Sequence, residues 1–211
     1  MSSWFDHLVE PWQHALENAW TSFQDGNSPI GAVVVDADGI VVGSGRSRRL
    51  DAHEGPGRLA GTNMAHAELS ALTALPRGDY WDHEVYTTLR PCFLCTAAIV
   101  HSRVGHVSFA GDDPVVRGVE RLPELGQQIA RRWPTWEGPA GGALRVFAEL
   151  LAIVFEYQHD VDGDTRAYEA NAPRSAALAR QVLEDGRAET LVTLDLPGGL
   201  QLLPELDDGG S

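Results

Sequence analysis

Two short motifs carry the chemistry open to this chain. His66-Ala67-Glu68 comes first, and Pro91-Cys92-Phe93-Leu94-Cys95 follows. They offer an imidazole, a carboxylate beside it, and two thiols three residues apart. One helix face can bring Cys92 and Cys95 to a common point. Zinc takes four tetrahedral N, S or O ligands, and a catalytic zinc keeps three from protein and one open position. His66, Cys92 and Cys95 can fill the three protein positions. Pro91 suits the first turn of a helix, where its missing N–H is not needed. The free amides and positive dipole of that terminus favour thiolates. Glu68 is then left for acid/base work. Zinc lowers the pKa of bound water to about 7, and a nearby carboxylate can move the proton. A closed structural zinc would need a fourth regularly spaced ligand, and none stands out. A redox Cys-x-x-Cys is a further option. Neither of these uses Glu68.

These side chains need elements to position them. Gly61-Thr62-Asn63 reads as a helix start, with Thr62 or Asn63 as cap. Ala65, Leu69 and Leu72 then give an apolar stripe over residues 64–75. Upstream, apolar residues recur at three- and four-residue spacing over 4–24, an amphipathic helix with Trp12 and Trp20 as core. Phe23 is core or a ring-stacking group. Residues 30–35 and 40–42 form a hairpin turned at Asp36-Ala37-Asp38-Gly39. The stretch 43–63 is long for a loop and reads as a substrate-binding loop or as disorder. Residues 84–89 and 105–110 read as strands, with a helix over 92–101 between them. Strands alternating with helices imply an α/β layered domain with a mixed sheet.

Beyond the fourth strand, Asp113 either accepts a hydrogen bond from a ligand or caps a helix over 115–122. Residues 123–142, rich in Pro, Gly and Trp, read as a connector in which Trp133 and Trp136 cover a neighbouring surface. Helices follow over 144–155 and 175–184, then an alternating strand over 189–196 and a tail from Pro204. Glu156, Tyr157 and His159 are candidates for a C-terminal substrate contact. The division expected is a core over 1–122 and a mainly helical extension over 123–211.

The two motifs and their surroundings resemble the zinc deaminases of the cytidine deaminase-like superfamily, whose signature is His-x-Glu followed by Pro-Cys-x-x-Cys. Ser28-Pro29-Ile30-Gly31-Ala32-Val33 resembles the family's first strand. Tyr86-Thr87-Thr88-Leu89-Arg90-Pro91-Cys92 and Ile99-Val100-His101-Ser102-Arg103-Val104 resemble the region around its second motif. Bacterial guanine deaminases, cytosine deaminases and tRNA adenosine deaminases look most similar, over roughly residues 5–122. The resemblance implies a three-layer α/β/α fold with zinc at the N-termini of two helices. It implies Glu68 as the catalytic acid/base and the Ala67 backbone N–H as an anchor for the base. It also implies an acidic base contact beyond the fourth strand, for which Asp113 or Asp112 is the candidate. Three departures bear on substrate. Arg90 stands where many relatives carry Glu, and Thr62-Asn63-Met64 where they often have Asp-Pro-Thr. Gly45-Arg46-Ser47-Arg48 lacks the family's Asn, a contact that Asn63 could replace.

Composition narrows the partners. The formal net charge is −14, from 30 acids and 16 bases, and every base is Arg. Residues 160–211 hold 11 acids against 4 Arg, so half of the excess lies there. Such a surface opposes nucleic acid, whose binding requires neutralised phosphates. Arg46, Arg48, Arg49 and Arg58 form a basic patch or a solvated loop. No apolar run reaches membrane-spanning length, no signal peptide is visible, and both cysteines lie in the motif. A reducing cytoplasmic setting without disulfides is expected. The function expected is zinc-dependent hydrolytic deamination of a small amino-purine or amino-pyrimidine, guanine or cytosine type, by a homodimer. A tRNA adenosine deaminase is the alternative enzyme, and a non-catalytic zinc scaffold for a partner protein the alternative class.

Overall fold

The computed structural model describes residues 4–159, 165–203 and 206. After a short 3-10 turn comes helix α1 (Glu10–Gln24), with Pro11 near its start, where a missing N–H costs nothing. Strands β1 (Gly31–Val35) and β2 (Val41–Arg46) form the expected hairpin. Its turn is closed by Asp36, whose Oδ1 accepts the N–H groups of Asp38 and Ile40. Then come α2 (Ala67–Thr73), β3 (Glu84–Leu89), α3 (Phe93–Ser102) and β4 (His106–Gly111). The short helix α4 (Gln127–Ala130), strand β5 (Thr135–Glu137) and long helix α5 (Gly142–His159) follow. Helices α6 (Thr165–Asn171), α7 (Pro173–Glu184), α8 (Arg187–Leu191) and α9 (Leu196–Leu202) are the last elements among the described residues.

The sheet order is β2-β1-β3-β4-β5. β1 is antiparallel to β2 and β3, whereas β3, β4 and β5 run parallel, so the sheet is mixed as expected. β1 is buried along its whole length, as a central strand covered on both faces must be. One face carries α2 and α3 over Ala32, Val34, Val85 and Val107. The other carries α1 and the C-terminal helices around Leu16, Trp20, Phe147 and Leu151. Leu144 and every residue from Val146 to Glu156 are buried, because α5 is roofed by the helices that follow it. Trp20 Nε1 donates to Leu194 O at 2.9 Å, tying α1 to the turn before α9. Among the described residues no helix is long and apolar enough to cross a membrane.

Several expectations are corrected. Residues 115–122 are no α-helix: 3-10 segments Pro114–Val116 and Val119–Leu125 stand there, broken by Gly118 at φ 102° and carrying Pro123. The connector contains a strand, β5, held beside β4. Its Trp136 stacks on Trp133 at 5.5 Å and meets Phe109 edge-on, so these rings pack within the chain. Residues 189–196 form no strand, because Ala188 and Leu191 bury together at helical spacing in α8. Phe23 is core, 3% exposed. The expected tail from Pro204 lies, Leu206 apart, outside the described residues.

Candidate metal centre and cavity

Both motif helices begin later than their patterns suggest, and this shift builds the site. His66 is the N-cap of α2, in extended conformation at φ −80° and ψ 154°. Cys92 is the N-cap of α3, at φ −68° and ψ 175°. Pro91 therefore precedes the cap instead of occupying the first turn. Thr62 caps only the preceding turn, its Oγ1 accepting Met64 N–H at 3.3 Å. An N-cap side chain turns back over the first helical turn, so Cys92 meets Cys95, and His66 reaches across to both thiols.

β2 sets the position of α2. A methyl group on Gly45 would lie 2.6 Å from Ala71 N and closer still to Ala67 O, so only glycine lets α2 settle there. That contact fixes the turn carrying His66 and Glu68. β3 contributes Thr87, fully buried, whose hydroxyl donates to Glu68 Oε1 at 3.3 Å.

Three ligand atoms converge. Cys92 Sγ lies 3.7 Å from Cys95 Sγ and 3.8 Å from His66 Nδ1, and Cys95 Sγ lies 3.4 Å from that nitrogen. Zn–S bonds of about 2.3 Å and Zn–N bonds of about 2.0 Å give tetrahedral edges of roughly 3.8 Å and roughly 3.5 Å. The spacing therefore fits zinc with three protein ligands. Among the described residues this is the one such His/Cys/Asp/Glu cluster. The Cys95 hydrogen bond, then that of His66, pull Cys92 down to about 4. Cys95, as the donor to Cys92, is pushed up. The hydrogen bond to Cys92 holds His66 above its ordinary value.

Glu68 is 3% exposed, with Oε2 3.2 Å from Cys95 Sγ. Burial raises its pKa, the Cys92 thiolate adds to this, and His66 partly opposes it. A cavity of about 920 Å³ opens on Glu68, His66 and Cys92. Ile30, Leu89, Val116, Val119 and Leu122 give it an apolar lining. Asn63 and Asp113 both line it, as the sequence suggested. Asp113 faces the cavity, and its Oδ1 accepts Val115 N–H at 2.9 Å as the cap of the 3-10 segment Pro114–Val116, in place of a helix over 115–122. The Ala67 side chain is packed in the core. Of the C-terminal candidates Glu156 lines the cavity. The Tyr157 hydroxyl meets Glu169 at 3.0 Å and His159 Nδ1 meets Phe155 O.

Sequence reasoning missed Thr87, Glu149, Ala152, Phe155 and Tyr168. Glu149 was detectable as an acid amid an apolar helical run; the others carry no local signal. Arg46 and Arg48 are not a free basic patch. Arg46 pairs with Asp25 and Arg48 with Asp51, each at 2.7 Å, and these pairs order the long loop.

The model of the cytidine and deoxycytidylate deaminase zinc-binding region matches residues 8–111. A cytosine deaminase of Candida albicans is 35% identical over 119 residues, covering 51% of this chain and 74% of that protein. A tRNA(Ile)-lysidine synthase of Deinococcus radiodurans is 33% identical over 180 residues. That match takes in 81% of this chain and 29% of the relative, so the chain spans under a third of that protein. A guanine deaminase structure from Nitrosomonas europaea shares the fold, with TM-score 0.52 over 74% of this chain and 86% of the other, at 17% identity.

Proposed function

We infer the reaction from one premise: this chain belongs to the cytidine and deoxycytidylate deaminase zinc-binding family. The reaction is hydrolysis of the exocyclic amine of a small amino-purine or amino-pyrimidine, guanine or cytosine type, with release of ammonia. One observation carries it. The buried Glu68 carboxyl opens into the same cavity as His66 and Cys92, beside a donor set with tetrahedral spacing.

His66, Cys92 and Cys95 hold the zinc, which when bound supplies a water acidified to near neutrality. The protein side chains do the rest. Glu68 accepts a proton from the attacking water and passes it to the ring nitrogen beside the amine-bearing carbon. The water oxygen adds to that carbon. Glu68 then carries the second proton to the amine, the C–N bond breaks, and a carbonyl remains as ammonia leaves. Thr87 holds the carboxyl in place through Oε1. Asn63 and Asp113 line the cavity as contacts for the ring, and Ala67 offers its backbone. The apolar lining suits a planar heterocycle.

The test is ammonia release by zinc-loaded protein from guanine, cytosine, adenine, their nucleosides and a tRNA anticodon stem-loop. Turnover of one small compound is expected. Turnover of the RNA alone would establish the tRNA enzyme instead. Zinc binding without turnover of any compound would favour the scaffold.

A further inference from the structure

We propose that a second, smaller cavity beside β5 is a binding site for a planar aromatic carboxylate. It is distinct from the cavity of Glu68, and it does not depend on the deaminase reading.

This space measures about 200 Å³. Drug-sized ligands take cavities of about 300–1,000 Å³, so this one suits a single substituted ring and excludes a nucleotide. Phe109 of β4, Trp136 of β5 and the preceding Trp133 and Pro134 form its walls. Val119, at the start of the 3-10 segment Val119–Leu125, completes the apolar lining. Trp133 and Trp136 stack on each other, and Trp136 stands edge-on to Phe109, so these rings hold one another in place. Fixed aromatic walls receive a flat ring.

The polar groups of this space are chiefly donors. Arg90, which follows β3, lines it with a side chain only 19% exposed. Its guanidinium lies 4.5 Å from the centroid of the Phe109 ring, and its Nε donates to Asp112 Oδ1 at 2.6 Å. Those two contacts fix the group. Among the described residues Nη1 and Nη2 meet no acceptor. Trp136 Nε1 is buried and likewise has no partner among the described residues. Buried donors are seldom left so, because each costs its full desolvation. The acid lining the space is Glu120, an exposed residue whose Oε2 accepts Gly118 N–H at 3.0 Å. Donors therefore exceed acceptors. With Nε committed, Arg90 presents the Nη1/Nη2 end of its fork, whose planar geometry matches both oxygens of a carboxylate. A ring on the aromatic walls with its carboxylate on Arg90 satisfies both halves of the site. Arg90 and Val119 also line the cavity of Glu68, so an occupant meets the same guanidinium that holds Asp112.

The test uses the zinc-loaded full chain. Benzoate and indole-3-carboxylate are the probes, and benzamide and indole-3-carboxamide the uncharged controls. Calorimetry reads Kd, and quenching of tryptophan emission reports contact with Trp133 and Trp136. Each carboxylate should bind about 10-fold or more tightly than its amide. Arg90→Met should erase that difference and leave amide binding in place. Asp112 then keeps Arg117, whose Nη2 lies 3.1 Å from Oδ2. Glu120→Gln should tighten the carboxylates alone, by about 2- to 5-fold. Trp133→Leu should weaken acid and amide alike, by about 10-fold. Neither Glu120 nor Trp133 lines the cavity of Glu68, so their effects locate the probe. Equal affinity for acid and amide overturns the proposal, and so does failure of the wild type to bind either acid. An unchanged carboxylate Kd in folded Trp133→Leu puts the probe elsewhere and overturns it too. The wild-type comparison and the exposed Glu120→Gln keep the test decisive where Arg90→Met fails to fold.

Discussion

Glu68 has a narrow task because of what surrounds it. Burial and the neighbouring Cys92 thiolate favour its protonated form, while Thr87 fixes one oxygen. In the proposed reaction this carboxyl takes up and returns the protons. Glu68→Gln should therefore keep stoichiometric zinc while ammonia release falls by about 10²–10⁴-fold. Metal analysis beside a turnover assay checks both halves. Asp112 is the opposite case. Burial raises its carboxyl, but hydrogen bonds from Arg90 and Arg117 outweigh this and hold it below the usual carboxylate range. Its ionised form stabilises the fold above the unfolded-state pKa of about 3.9. That stabilisation is lost as pH falls through the lowered folded value. Asp112→Asn should be less stable than wild type at pH 7 and converge with it in strong acid, as urea midpoints across pH would show.

At the scale of elements, the site depends on where two helices begin. Gly45 is the point at which β2 admits α2, and Gly45→Ala should push that helix outward. We expect a loss of about 1–3 kcal/mol in stability together with weaker zinc retention, read by chelator competition. The elements around the metal were legible in the sequence because their signals are local. The β-formers Val85, Tyr86 and Thr87 marked β3 at Glu84–Leu89, and residue spacing marked α1 and α3. The cap positions of His66 and Cys92 were not legible, because an extended N-cap is set by docking on β2 and β3. Nor were β5 and α8. A three-residue strand needs a neighbour to pair with, and Leu191 and Leu194 satisfy either a strand or a helical turn until packing decides. The motifs named the three metal donors and Glu68 in advance. They could not choose among Glu156, Tyr157 and His159, since Glu156 lies 61 residues beyond Cys95 and meets the cavity only through the fold.

At the scale of the whole molecule, the core does not divide at the edge of the motif region. Leu16, Trp20 and Phe23 of α1 share one cluster with α5, α7 and α8. Heat or urea should therefore unfold the chain in one transition, with tryptophan fluorescence and helical dichroism losing signal together. Two separated transitions would show that the C-terminal helices melt independently. The net charge of −14, with Arg46 and Arg48 already paired, leaves little to attract phosphates. Gel shift should show no retention of tRNA at physiological salt.

The bond from Trp20 to Leu194 joins residues 174 positions apart in the chain. While the chain is still emerging from the ribosome, Leu16, Trp20 and Phe23 of α1 lack the part of their cover that α5 and the helices after it supply. At about 5–20 residues per second, that wait lasts on the order of 10 s. During it those side chains stay partly exposed to solvent. The newborn polypeptide is thus a natural client for chaperones that shield α1, and crowded translation should be where its yield is lost.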